Sequence, residues 1–327
     1  MTLILSCITR EYVVQASDRR LTTLDGSLFE DRANKAIFFC GHSVFAYTGI
    51  ARLSSKRTDT WLTDLLISAK ALADGLPLIQ RTAKAAVRGI PFPSSVTAEN
   101  RRRAKRLAFV NVGFMLERQQ STVPRASAQY LRPILTVISN FFQPPDIWLP
   151  EAEQDFTYHH RRLPDDEPFA LFASGQPLLP EETLNLHHAI RRCVKHATSA
   201  YPVARLLARQ VRAVSERNPL VGPNVMCSLI PRAAVLTRVG QPPTSGMIPF
   251  HPEFATEFDL FRYPKGATPE KTYIYVPGSL DEQVYHGASY VCEGLAMQGP
   301  VFGPSHLVGP PVSSARIRKS GRSISDG

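Results

Sequence analysis

The sequence predicts a mixed α and β protein built on antiparallel sheets. Two observations carry this. Short runs rich in β-branched and aromatic residues come in adjacent pairs joined by tight turns. Amphipathic stripes at helical spacing separate and follow those pairs, giving the order strands, helices, strands, helices, strand.

Residues 2–9 and 12–17 form the first strand pair, turned at Arg10-Glu11, and 36–40 with 43–47 the second, around Gly41-His42. Thr58 or Asp59 can cap a helix with the stripe Trp61, Leu62, Leu65, Leu66, Ala69 and Leu72, stopped by Gly75 and Pro77. A further helix is expected over 78–88. The Pro-, Ser- and Arg-rich stretch 89–106 reads as an exposed loop. Strands follow at 107–116, 134–142, 154–162 and 168–173, the last running into Ala173-Ser174-Gly175. Helices are expected over 181–197 and 202–217, the second with the stripe Val203, Leu206, Leu207, Val211 and Val214. Asn224–Ile230 is a closing strand. The order fits two antiparallel sheets stacked face to face with helices outside. Periodicity by itself gives only the mixed class.

At 327 residues the chain can bury a large core and hold one or two domains. It is 43% hydrophobic, with no apolar run near the length of a membrane span. Thr2–Ile8 is apolar but short, lacks a basic leader and meets Arg10-Glu11, so it reads as a buried strand and not a signal peptide. Cys7, Cys40, Cys193, Cys227 and Cys292 are scattered and odd in number, with neither metal spacing nor a disulfide framework. A reducing cytoplasm is the simplest setting.

The formal net charge is +10, concentrated at Arg101, Arg102, Arg103, Lys105 and Arg106 and at Arg316, Arg318, Lys319 and Arg322. These clusters lack interleaved aromatic residues and any recognised nucleic-acid motif, so they read as a solvated loop and tail. They are compatible with attraction of acidic partners or substrates. His187-His188 sits on a helix, where His187 joins the apolar stripe, and His159-His160 alternates across a strand. Neither pattern points to a metal.

The chemistry-bearing feature is an ordered set anchored at the N-terminus. Thr2 directly follows Met1, and its side chain is small enough for an aminopeptidase to remove that Met1. Thr2 would then hold a hydroxyl and a free amine on one residue, a nucleophile packaged with its base. Asp18, Arg20, Thr22, Lys35 and Gly49 follow, the last in Tyr47-Thr48-Gly49.

This set resembles the proteasome β-type subunits and their bacterial relatives, which are N-terminal-nucleophile hydrolases. From Thr2 through Thr22 the match needs no gap. Lys35 falls one residue later than the family pattern, and the Lys35-to-Gly49 spacing fits again. The likeness is strong over the first fifty or so residues and weak beyond. It implies a four-layer αββα sandwich, an α+β fold, with a threonine-type amide hydrolase activity and no cofactor or metal. Lys35 would sit beside the Thr2 hydroxyl and lower the pKa of both Thr2 groups. Asp18 would pair with Lys35, Arg20 would brace the same network, and the Gly49 N–H would face the developing oxyanion. Ser174 fits the family's serine near the nucleophile. The turn Glu216–Gly222 departs from the pattern: Asn218 stands where the family has an aspartate and Val221 where it has a serine.

The resemblance also implies an extended peptide bound as an added strand beside Thr22 and Gly49. The pocket positions fall at Leu21, Ala33, Ile37, Tyr47 and Ala51, none charged, which points to an apolar or aromatic residue before the scissile bond. Residues 2–240 correspond to the family core, with a longer insert within 75–132; 241–312 form a Pro-rich extension and 313–327 a basic tail without structure. A peptide or protein substrate and a homo-oligomeric ring or dimer are the implied partners, with any ATPase partner unread. The alternatives are a non-catalytic structural or regulatory subunit of the same fold, and a hydrolase of a small amide.

Overall fold

The computed structural model describes residues 2–23, 27–31, 33–40, 42–118, 129–144, 146–196 and 200–232, and the strand segments 257–261, 270–273, 289–292, 295–298 and 316–319. The described residues form a mixed α and β structure of several antiparallel sheets and five helices.

In chain order the first elements are β1 (Leu3–Thr9), β2 (Tyr12–Asp18), the short ribbon β3 (Leu21–Thr22) and β4 (Leu28–Glu30), then β5 (Ile37–Phe39) and β6 (Ser43–Gly49). A second ribbon, β7 (Arg52–Leu53) and β8 (Lys56–Arg57), leads into α1 (Thr58–Leu66), α2 (Leu72–Arg88) and α3 (Ala98–Ala104). Next come β9 (Leu107–Arg118), β10 (Gln129–Ser139), the ribbon β11 (Phe142–Gln143) and β12 (Ile147–Trp148), β13 (Thr157–Arg162) and β14 (Phe169–Gly175). The helices α4 (Pro180–His196) and α5 (Tyr201–Arg217) precede β15 (Val225–Pro231). The last strands are β16 (Glu257–Phe261), β17 (Glu270–Tyr273), β18 (Ser289–Cys292), β19 (Leu295–Gln298) and β20 (Arg316–Lys319).

One sheet runs β14-β1-β2-β15-β16-β17 and the other β13-β10-β9-β6-β5-β18-β19-β20. Every pairing is antiparallel except β18 with β5. Strand alternation explains why β1 can be buried along its whole length. Leu3, Leu5 and Cys7 enter a core shared with Val203, Leu207, Val211 and Val214 of α5. Ile4 and Ile8 point the other way, into a core shared with Phe45, Phe109 and Val110 of the second sheet. Strands of the two sheets touch across this second core, while α1 and α2 pack against β5 and β10.

Three expectations change. The helix from Thr58 ends at Leu66, and α2 begins at Leu72, so Gly75 and Pro77 lie inside a helix rather than ending one. Gly75 is buried there, with Leu66 and Ala69 packed close against it. The stretch 89–106, read as loop, contains α3, which buries none of its residues. Its N-terminus is held by Thr97, whose hydroxyl accepts from the Asn100 N–H at 3.2 Å. Finally, β10 starts at Gln129, paired with Arg118 of β9, well before the expected residue 134.

The C-terminal segments add strands to both sheets: β16 pairs with β15, and β18 pairs with β5. The strand expected at 272–276 is described only to Tyr273. Within the 313–327 tail, Arg316–Lys319 pairs with β19, and the remainder lies outside the described residues. Most of the 241–312 extension also lies outside them. Among the described residues no helix is long and apolar enough to cross a membrane.

Candidate active site

The two sheets bring Thr2, Asp18 and Lys35 together at one buried point. Thr2 precedes β1, Asp18 ends β2, and Lys35 lies just ahead of β5. Pairing of β2 with both β1 and β15 sets Asp18 opposite Val225 and Ser17 opposite Ile4, so Thr2 meets the end of β2.

Lys35 and Asp18 are fully buried. An ammonium has three protons to donate, and Lys35 Nζ finds three acceptors: the Thr2 hydroxyl in a short contact, the Arg20 carbonyl at 2.6 Å and Asp18 Oδ1 at 3.4 Å. Burial is the main effect on Lys35 and moves its pKa below the usual 10.5. Asp18 pulls it back up, and Arg19 pushes it further down. The amine therefore gives up a proton more readily than a solvated lysine does.

Asp18 is saturated in turn. Its Oδ2 accepts from the Leu3 N–H at 2.7 Å, and its Oδ1 from the N–H groups of Arg20 at 2.9 Å and Gly222 at 3.1 Å. Four donors thus fix the carboxylate, and one of them holds the residue next to Thr2. The Thr2 carbonyl is fixed separately, accepting from Gln176 N–H at 3.1 Å and the Thr48 hydroxyl at 3.3 Å. Thr2 is 5% exposed, and that small fraction opens into a cleft of about 1150 Å³.

Two glycines let the backbone pack this closely. Gly49 has φ +102°, and a Cβ there would lie 1.9 Å from the Arg106 carbonyl oxygen. Gly175 has φ +86°, and its Cβ would lie 1.9 Å from the Thr2 carbonyl oxygen.

Arg20 does not touch Lys35 through its guanidinium. Its Nε donates to Asp31 at 3.1 Å and its Nη1 to the Pro219 carbonyl at 2.7 Å, while its own carbonyl receives Lys35. Ser174 is buried on β14 opposite Ile4, and its hydroxyl has no partner among the described residues. Of the expected pocket residues, Leu21, Thr22 and Ala51 line the cleft. Ala33, Ile37 and Tyr47 do not: all three are buried in the inter-sheet core, and Tyr47 donates to the Asn34 carbonyl at 3.2 Å.

In the divergent turn, the Asn218 side chain accepts from the Leu220 N–H at 3.0 Å, and Val221 is buried against α5 and its neighbours. The backbone N–H of Gly222 reaches Asp18, a link spanning 204 positions that sequence spacing does not reveal. Thr48, Gly175, Gln176 and Gly222 are the site residues that sequence reading passed over. Gly175 left a signal as the glycine beside Ser174, Thr48 as the residue before Gly49, and Gly222 as the end of the divergent turn.

No protein-family model matches the chain, and no curated protein matches its sequence. Among solved structures the chain is similar to Anbu (ancestral β-subunit) from Yersinia bercovieri. The identity is 12% and the TM-score 0.39, over 71% of this chain and 81% of that one. A likeness at that level carries no weight for fold or activity.

Proposed function

We propose that this protein is a threonine-type amide hydrolase of the N-terminal-nucleophile class, acting on peptides, with Thr2 as nucleophile after removal of Met1. The single observation that supports it most is the Thr2–Lys35–Asp18 cluster: a hydroxyl at the floor of a cleft, bonded to a buried lysine that a saturated carboxylate holds in place. In this reading the two stacked sheets and their flanking helices constitute a four-layer αββα sandwich.

The chemistry follows from the contacts. The Thr2 amine, with an unperturbed pKa of about 7.7–8.0, accepts the hydroxyl proton as the oxygen attacks the amide carbon. Lys35 stabilises the developing negative charge on the oxygen, and burial strengthens that effect because water does not screen it. The Gly49 N–H is the oxyanion donor, a role commonly worth about 3–4 kcal/mol. The orphan Ser174 hydroxyl supplies a partner for the freed amine. Asn218 and Val221 leave that amine without the family's acid and second serine, which slows turnover relative to the family pattern. A homo-oligomeric assembly in the cytoplasm completes the proposal.

Hydrolysis of a peptide library by the full-length protein tests it. Thr2→Ser should keep measurable turnover and Thr2→Ala should lose it. Turnover of small amides without turnover of peptides would move the substrate class. Equal activity of Thr2→Ala and the parent would sink the nucleophile assignment.

A further inference from the structure

The cleft above Thr2 is lined by Arg20, Arg52, Arg103 and Arg106 and by no described carboxylate. Arg20 meets Asp31 and Arg103 pairs with Glu99, while Arg52 is exposed to solvent and donates to the Ser55 carbonyl. Arg106 is different. It is half-buried, donates through Nε to the Arg103 carbonyl at 3.0 Å, and lies 5.7 Å from the centre of the Phe141 ring. Among the described residues it meets no carboxylate, and the like charge of Arg103 acts on it. A partly desolvated guanidinium without a counter-ion is costly, and a carboxylate with matching geometry relieves that cost.

The wall is tied to the reacting end. The Ile50 N–H donates to the Arg106 carbonyl at 3.2 Å, and Gly49 pairs with Leu107, the next residue. Arg106 therefore stands beside the backbone expected to receive the oxyanion. The segment carrying it is also anchored to the body: the Ala152 N–H donates to the Arg102 carbonyl at 3.1 Å, and Arg102 pairs with Glu151.

Resting on the reading of this cleft as a peptide site, we infer that Arg106, assisted by Arg103, selects a substrate with an acidic side chain near the scissile bond. This revises the apolar preference expected from sequence. Leu21, Ile50 and Ala51 still give the inner cleft an apolar floor, but the charge on the outer wall sets the choice among residues that reach it.

The test separates recognition from turnover by measuring binding on full-length Thr2→Ala protein. Tetramethylrhodamine-labelled hexapeptides differing only in a central Glu, Gln or Lys are titrated by fluorescence anisotropy, at low and high salt. The Glu peptide should bind about tenfold tighter than the Gln peptide and tighter still than the Lys peptide, with the margin shrinking in salt. Arg106→Met should remove most of the preference, and Arg106→Lys should retain part of it, which a purely structural role of the side chain would not produce. Arg103→Gln, an exposed position, should narrow the margin and serves as the second variant should Arg106→Met not fold. Equal affinity for the three peptides, no binding of any, or a preference surviving the Arg103→Gln, Arg106→Met double variant would overturn the inference. A clear Glu preference in a protein whose Thr2 never reacts would instead count against the hydrolase reading and leave this one standing.

Discussion

The inner and outer ends of one cleft are built on opposite plans. At the inner end Lys35 and Asp18 are wholly buried, and the Lys35 ammonium and the Asp18 carboxylate are held by fixed partners. At the outer end α3 buries none of its residues, and the Arg103–Glu99 pair is about half exposed. Buried groups have no alternative partners, so their geometry is set before any substrate arrives. Exposed arginines keep rotamer freedom and solvent, so they can adapt to a ligand but hold little folding energy. Under the proposed function, chemistry and selectivity fall to separate parts of the same cleft.

The sharpest way to break that contrast is Lys35→Met. It leaves the Asp18 carboxylate buried without its lysine partner, which should cost about 3–5 kcal/mol of stability in denaturant titration and abolish reaction at Thr2. A small stability change would mean that the inner end is wetter than its burial implies.

Gly175→Ala comes next. Its added methyl must move the Thr2 carbonyl and must sit at positive φ, so roughly 2–4 kcal/mol of destabilisation is expected, with reaction at Thr2 lost along with it. The control is Gly89→Ala, where the nearest atom to a Cβ is 3.6 Å away and stability should hardly change. Equal effects at both glycines would contradict the close approach.

Thr48→Val removes one of two bonds to the Thr2 carbonyl while keeping shape. A loss of about 1 kcal/mol and a several-fold slower reaction at Thr2 are expected, readable by thermal melting and by labelling rate.

The smallest effect belongs to the surface. Glu182 is held below its usual 4.5, chiefly by the hydrogen bond from Arg217 and aided by the Leu179 N–H. The unfolded chain therefore takes up this proton first as pH falls. The pair's contribution is full above about pH 4.5 and is lost as pH drops through the folded value. Glu182→Gln should lower stability slightly at neutral pH and leave it nearly unchanged once pH has fallen below the lowered folded value, a difference that pH-dependent melting resolves. A large neutral-pH loss would show that surface pairs here rival the buried one.

Much of the inner end was legible in sequence because its residues lie in strands with strong local patterns. The β1–β2 pair and the stripe of α5 follow from short-range patterning, and the order Thr2, Asp18, Lys35, Gly49 is expected from the resemblance to the proteasome β-type subunits. The pocket was less legible. Ile37 and Tyr47 sit on strands covered on both faces, so alternation cannot say which side chains reach the cleft. The segment 89–106 was the least legible: α3 is too short and too polar to show a stripe, and its Arg residues gain meaning only from where Gly49 and Leu107 place them. The Gly222–Asp18 bond likewise depends on β15 lying beside β2, a tertiary fact with no local signature.

The most direct test of the Thr2 assignment is the intact mass of the protein purified from its own host, before and after treatment with a peptide epoxyketone. That electrophile needs both the free amine and the hydroxyl of an N-terminal threonine. Loss of Met1 and addition of one adduct, absent in Thr2→Ala, is the predicted result. A chain that keeps Met1, or a processed chain that takes no adduct, would contradict the assignment and favour a non-catalytic subunit.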